Sequence, residues 1–340
     1  MRRHTLAVLL AAALALTMAA CGAQVRESGG GGGAQESGPI RLAVVPKAVG
    51  FDFWEQVRIG AECSAKESSE QVEVQWDGVT AETDVNGQVN LLQNFTTQGV
   101  DGLVYAATDA KVLADVTQNA LDQGLTVVNI DSGTDPQPKQ VPVVATDNVA
   151  AAEEATRLLI EEMGGKGEVA FIPFQPGTAT NDTRTEGFKN VLEENPEVEL
   201  VAEQSSQSDY NKALSVTEDI LTANPGLDAI YAANEPGVLG AAEAVRSAGK
   251  EDDITIVGWD TAPDEVKAVE EGVVTALVAQ NPFRMGYDGV NSAVKAIRGE
   301  GQLKDIDTGS TLVTRDNLDD PEVKAVLDPS CQNPPKVSDL

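Results

Sequence analysis

From residue 40 onward the chain alternates short apolar, β-branched runs with longer stretches in which apolar residues recur every three or four positions. The first run, 42–45, carries no polar alternation and is too short for a helix, which predicts a strand buried on both faces. Runs of the same kind occupy 72–76, 103–106, 126–131, 141–145, 168–172, 228–232, 254–259 and 275–280. Helical spacing fills most of the gaps. Trp54, Val57 and Ile59 follow the first strand, and Val89, Leu92 and Phe95 precede Gly99. Asp147 stands as an N-cap before Ala151, Ala155, Leu158 and Leu159. Such β-α alternation predicts an α/β protein with doubly wound parallel sheets. About ten strands over roughly 290 residues exceed one comfortable open sheet, so two lobes are expected, each a sheet covered by helices on both faces. The cleft between them is then the natural ligand site.

The N-terminus does not belong to this pattern. Arg2 and Arg3 precede an apolar run over 6–16 that is too short to span a bilayer and reads as a secretion signal, residues 1–20. The sequence Leu16-Thr17-Met18-Ala19-Ala20-Cys21-Gly22 resembles a bacterial lipobox, which implies acylation of Cys21 and a membrane contact through the lipid. Residues 21–38, with RESGGGGGAQESG, form a flexible Gly/Ser tether.

Composition narrows the chemistry. Against 24 basic residues stand 54 acidic ones, a formal charge of −30, so nucleic acid and anionic lipid would be repelled. The single histidine, His4, lies in the leader, which removes His-based acid/base catalysis, His-activated nucleophiles and His-ligated metals. No phosphate-binding glycine loop or nucleophile elbow is present, and the glycine run 29–33 follows no strand. A non-enzyme without cofactor or metal is expected. Cys63, placed early in the first helix, and Cys331, in a Pro-containing tail, are expected to pair in an exported protein and tie the tail to the first lobe.

Ligand candidates lie at strand ends. The loop after the first strand carries Lys47, Phe51, Phe53 and Trp54, and in an open α/β sheet such a loop leaves the carboxyl edge where ligands bind. Asp131, Asn234, Asp260 and Gln280 each end a predicted strand. Carboxylates and amides there could bind vicinal hydroxyls, or could cap the following helices. The aromatic residues, with Trp259, could stack on a sugar ring or fill the core.

Taken in order, FWEQVRIGA, VNID, ATDN, AANE, VGWDTAPDE and AQNPFRMGYDG resemble type I periplasmic sugar-binding proteins of the ribose-binding-like group, over about residues 40–314. The resemblance implies two lobes joined by a three-crossover hinge near Thr146, Asn281 and Asp307. One lobe would comprise 39–146 with 282–307, the other 147–281 with 308–316, and 317–340 a C-terminal tail. It implies a monomer that binds a small neutral sugar or sugar alcohol and delivers it to an ABC transporter permease. A receptor signalling ligand to a membrane partner would share these motifs. Where ribose binders follow the aspartate with arginine, this chain has Ser132, and where they carry a second ligand arginine it has Asp182, so ribose itself is not implied. PKAVGFDFW and the stretch 76–95 resemble the branch that binds autoinducer-2 or less common sugars, in which Lys47 would touch ligand. Asn181, Arg184 and Glu235 complete the candidate set.

Overall fold

The computed structural model describes residues 38–300 and 303–335, so the expected leader, Cys21 and the tether lie outside the described residues. Two six-stranded sheets carry the fold. The first contains β1 (Ile40–Val45), β2 (Val72–Trp76), β3 (Gly102–Tyr105), β4 (Thr126–Ile130), β5 (Val143–Ala145) and β11 (Ile306–Asp307), in the order β11-β5-β4-β3-β1-β2. The second contains β6 (Gly167–Ile172), β7 (Val198–Glu203), β8 (Leu227–Ala232), β9 (Thr255–Trp259), β10 (Ala276–Gln280) and β12 (Ser310–Thr314), in the order β12-β10-β9-β8-β6-β7. All neighbours are parallel except β12, which runs antiparallel to β10. The central strands are buried along most of their length, as their uninterrupted apolar runs require.

Helices α1 (Asp52–Glu67), α2 (Val85–Gln98), α3 (Ala110–Asp122) and α9 (Pro282–Ile297) cover the first sheet. The second is covered by α4 (Asn148–Glu162), α5 (Ala179–Glu194), α6 (Tyr210–Ala223), α7 (Glu235–Ala248) and α8 (Pro263–Glu271). The chain passes to the second sheet after Ala145, returns after Gln280 and passes again after Asp307. Three strands beyond the expected nine appear. β7 is an edge whose apolar residues are interrupted by Glu199 and Glu203, β11 is two residues long, and β12 is a half-buried antiparallel edge. None presents the continuous apolar run that marks a central strand.

A short helix, α10 (Pro321–Leu327), inserts Val323 and Val326 into the core of the second sheet. Beyond it Cys331 is bonded to Cys63 with Cα atoms 5.4 Å apart. Cys63 lies in the last third of α1, not early in it. The tail is therefore packed on one sheet and covalently joined to a helix of the other.

The seating of α1 depends on two glycines. A side chain at Gly60 would fall on the carbonyl of Phe283 in α9, and one at Gly286 on the carbonyl of Val57 in α1. The helices thus meet backbone to backbone, which places the N-terminal end of α1 at the edge of the cleft. Gly286→Ala forces them apart, and overpacking of this kind costs about 1 to 3 kcal/mol. Denaturant unfolding should show a loss of about 2 kcal/mol; an unchanged midpoint and slope would contradict the contact.

Candidate functional site

In both sheets the strand order reverses next to the first strand of the half, between β1 and β3 and between β6 and β8, so successive loops diverge and leave a crevice at the carboxyl edge. The two edges face each other. Between them lies a cleft with about 310 Å³ of atom-free space, lined among others by Lys47, Glu82, Asp131, Arg184, Glu235 and Asp260.

The carboxylates of Asp131 and Asp260 follow β4 and β9, which hold equivalent places in the two sheets. Both residues adopt left-handed backbone, with φ of 56° and 80°. Their amides are held by neighbouring strands, Asp131 donating to the Val144 carbonyl at 2.9 Å and Asp260 to that of Val278 at 3.0 Å. Lys47 Nζ lies 2.9 Å from Asp131 Oδ2 and donates to Thr180 Oγ1 at 2.9 Å. It also sits 5.1 Å from the Phe174 ring centre and 5.7 Å from that of Trp54, within range for attraction to an aromatic face.

On the opposite wall Arg184 is 2 % exposed. Its Nε donates to Asn148 Oδ1 at 2.8 Å and one terminal nitrogen to the Ala233 carbonyl at 2.7 Å, while its guanidinium stacks 3.7 Å from the Trp259 ring centre. Burial pulls its pKa down, opposed by Asp260 and Asp131. Asp260 accepts from Gln280 Nε2 at 2.6 Å and from the Glu235 amide at 2.9 Å. Burial raises its pKa, with Arg184 acting against the shift.

Glu235 reaches across the cleft. Its carboxylate accepts from the amides of Asp52 and Phe53 at 3.3 and 3.2 Å, and so caps α1, which has no side-chain cap of its own. Burial, then the nearby Asp260 charge, pushes its pKa up to about 7. Glu82 accepts from Ser208 Oγ of the other sheet at 2.6 Å, and burial raises its pKa. Behind them Glu265 is raised well above the usual range by burial and by repulsion from Asp260 and Glu235.

Ten of the expected residues converge on this cleft: Lys47, Phe51, Phe53, Trp54, Asp131, Arg184, Asn234, Glu235, Asp260 and Gln280. Asn234 also caps α7 through Gly237 N, so the two readings open for it are compatible. Ser132, Asn181 and Asp182 are not brought to the cleft wall. Ser132 is buried, its carbonyl accepting from the Ala107 amide at 2.9 Å, Asn181 holds the Phe174 amide at 2.9 Å, and Asp182 faces solvent. Arg184, two residues after Asp182 in α5, brings a guanidinium to the cleft wall. Trp259 lies in the core of the second sheet, its Nε1 donating to Tyr231 Oη at 2.6 Å. Glu82 and Phe174 line the cleft without having been expected to. Among the described residues no group of three or more His, Cys, Asp or Glu is arranged to hold a metal.

Comparison with known proteins agrees with this fold. The family described as periplasmic binding protein domain matches residues 42–301. The D-ribose/D-allose-binding protein of Pseudomonas aeruginosa is 32% identical over 265 residues, 76% of this chain and 83% of that protein. The xylitol-binding protein of Mycolicibacterium smegmatis is 25% identical over 314 residues, 92% of this chain and 86% of that one. An ABC transporter solute-binding protein from Agrobacterium vitis, crystallised with bound D-fucose, superposes with a TM-score of 0.81 at 32% identity, covering 85% of this chain and 100% of that one.

Since the native pKa of Glu235 lies above that of an unfolded glutamate, the native state binds more protons between about pH 4.5 and 7, and this group's stabilisation is lost as pH rises through that window. Glu235→Gln is neutral throughout and can still accept from the α1 amides. Its stability relative to the parent should therefore rise by about 2 kcal/mol between pH 5 and pH 7.5 in denaturant unfolding. Parallel pH profiles would contradict the assignment.

Proposed function

Because the chain belongs to the periplasmic binding protein family, we propose that it captures a small neutral sugar or sugar alcohol in the cleft, outside the cytoplasm, and delivers it to the permease of an ABC importer. The observation that carries this reading is the charge inventory of the cleft. Glu82, Asp131, Glu235 and Asp260 face only Lys47 and Arg184. An excess of carboxylates disfavours an anionic ligand, whereas hydroxyls can donate to carboxylates and accept from the two cations. Phe51, Phe53, Trp54 and Phe174 add apolar surface for the C–H face of a ring or polyol. The named relatives bind ribose, allose or xylitol, and the similar Agrobacterium protein holds fucose, which favours a sugar or polyol over autoinducer-2. That last protein is a transporter component, which favours delivery over signalling.

Closure about the three chain crossings would enclose the ligand. Lys47 to Thr180, Ser208 to Glu82, and the Asp52 and Phe53 amides to Glu235 all bridge the two sheets, as bonds of a closed form would. One chain completes the cleft, in keeping with a monomer. The LTMAACG sequence supports an anchor through Cys21, from which the tether would hold the protein off the membrane.

Asp131 and Asp260 approach the ligand from opposite sheets. Removing either leaves ligand hydroxyls without a charged acceptor, a loss of about 1.5 to 3 kcal/mol or roughly tenfold to over a hundredfold in affinity. A thermal-shift panel of pentoses, hexoses and polyols identifies the ligand first. Calorimetric titration should then show that loss for both Asp131→Ala and Asp260→Ala; binding within threefold of the parent in each would overturn the site.

A further inference from the structure

We propose that the cleft has a second compartment that takes the second unit of a disaccharide or hydroxylated glycoside, an inference that rests on the sugar-binding reading above. About 490 Å³ of atom-free space adjoins the first compartment and shares Phe53, Asp260 and Gln280 with it. Its remaining walls include Gln56 of α1 and, from the C-terminal tail, Val326 and Leu327.

The chemistry of these walls specifies the occupant. Gln280 is 2 % exposed, and its Nε2 is committed to Asp260 Oδ1, which leaves its buried Oε1 with no partner. Gln56 Oε1 is likewise buried and unpartnered. A buried amide oxygen without a donor is costly, and O–H groups of a ligand would satisfy both once the two amides turn toward the compartment. Asp52, also on the wall, carries a further acceptor that disfavours an anion. The apolar side chains of α10 offer a surface for ring C–H groups. The tail that supplies them is fixed at both ends of this stretch, by Val323 and Val326 in the core of the second sheet and by the bond from Cys331 to Cys63.

The test titrates the full chain with D-ribose, D-allose, D-fucose, D-glucose, D-galactose and xylitol, then with methyl glycosides and disaccharides built on whichever aldose binds best. At least one extended ligand should bind fivefold or more tighter than its parent aldose. Leu327→Trp, which fills the compartment, should cancel that gain while leaving the aldose within threefold. Gln56→Leu, on the half-buried face of α1, should reduce the gain at least threefold and serves where the tryptophan variant does not fold. If no extended ligand gains fivefold, or if the gain survives these substitutions, the second compartment is not a subsite, although the sugar-binding reading stands. If no neutral carbohydrate or polyol binds at 10 mM, that reading and this one fall together.

Discussion

Four buried carboxylates held between two sheet edges with only two cations impose the main constraint on this molecule. Ionised groups taken out of water are tolerated only when charges and hydrogen bonds replace the lost solvent. Each group here has such partners, and several come from the opposite sheet. Glu82 depends on Ser208, Glu235 on the amides of α1, and Lys47 on Thr180. The compensation remains incomplete, as the raised pKa values of Glu82, Glu235 and Asp260 show. Ligand hydroxyls that donate to these oxygens would supply what is missing, so recognition and the relief of buried charge become one effect.

The fold delivers this arrangement by using the same device twice. Asp131 and Asp260 end equivalent strands, and both adopt left-handed backbone, which costs an aspartate about 1 kcal/mol or more. The bonds from their amides to β5 and β10 hold the turn. The lysine after β1 and the phenylalanine after β6 also occupy equivalent places, each following a proline, and they meet across the cleft. Of two similar halves, one thus carries a cation at this place and the other the ring beside it.

Much of this was legible in the sequence because buried parallel strands leave unbroken apolar runs, and a polar residue at the end of such a run points to the carboxyl edge. Asp131, Asp260, Gln280 and Lys47 carry that signal. Glu82 carries none, because in the polar turn Thr80-Ala81-Glu82-Thr83-Asp84 it looks like any solvated carboxylate until Ser208 of the other sheet covers it. Phe174, directly after a strand and a proline, looks like core. β7 was missed because edge strands need apolar residues on fewer positions, and Glu199 and Glu203 break its run. What local pattern does not record is contact between distant segments, and the missed residues are those whose role is set by such contacts.

The account rests on the claim that unbalanced negative charge makes the cleft selective for neutral polyhydroxyl ligands. Its most direct test is calorimetric titration at pH 7.5 with a matched pair, the aldohexose that binds best and the uronic acid of the same sugar, which differ by one carboxylate. The account predicts that the neutral sugar binds at least a hundredfold more tightly. Equal or tighter binding of the acid would contradict it.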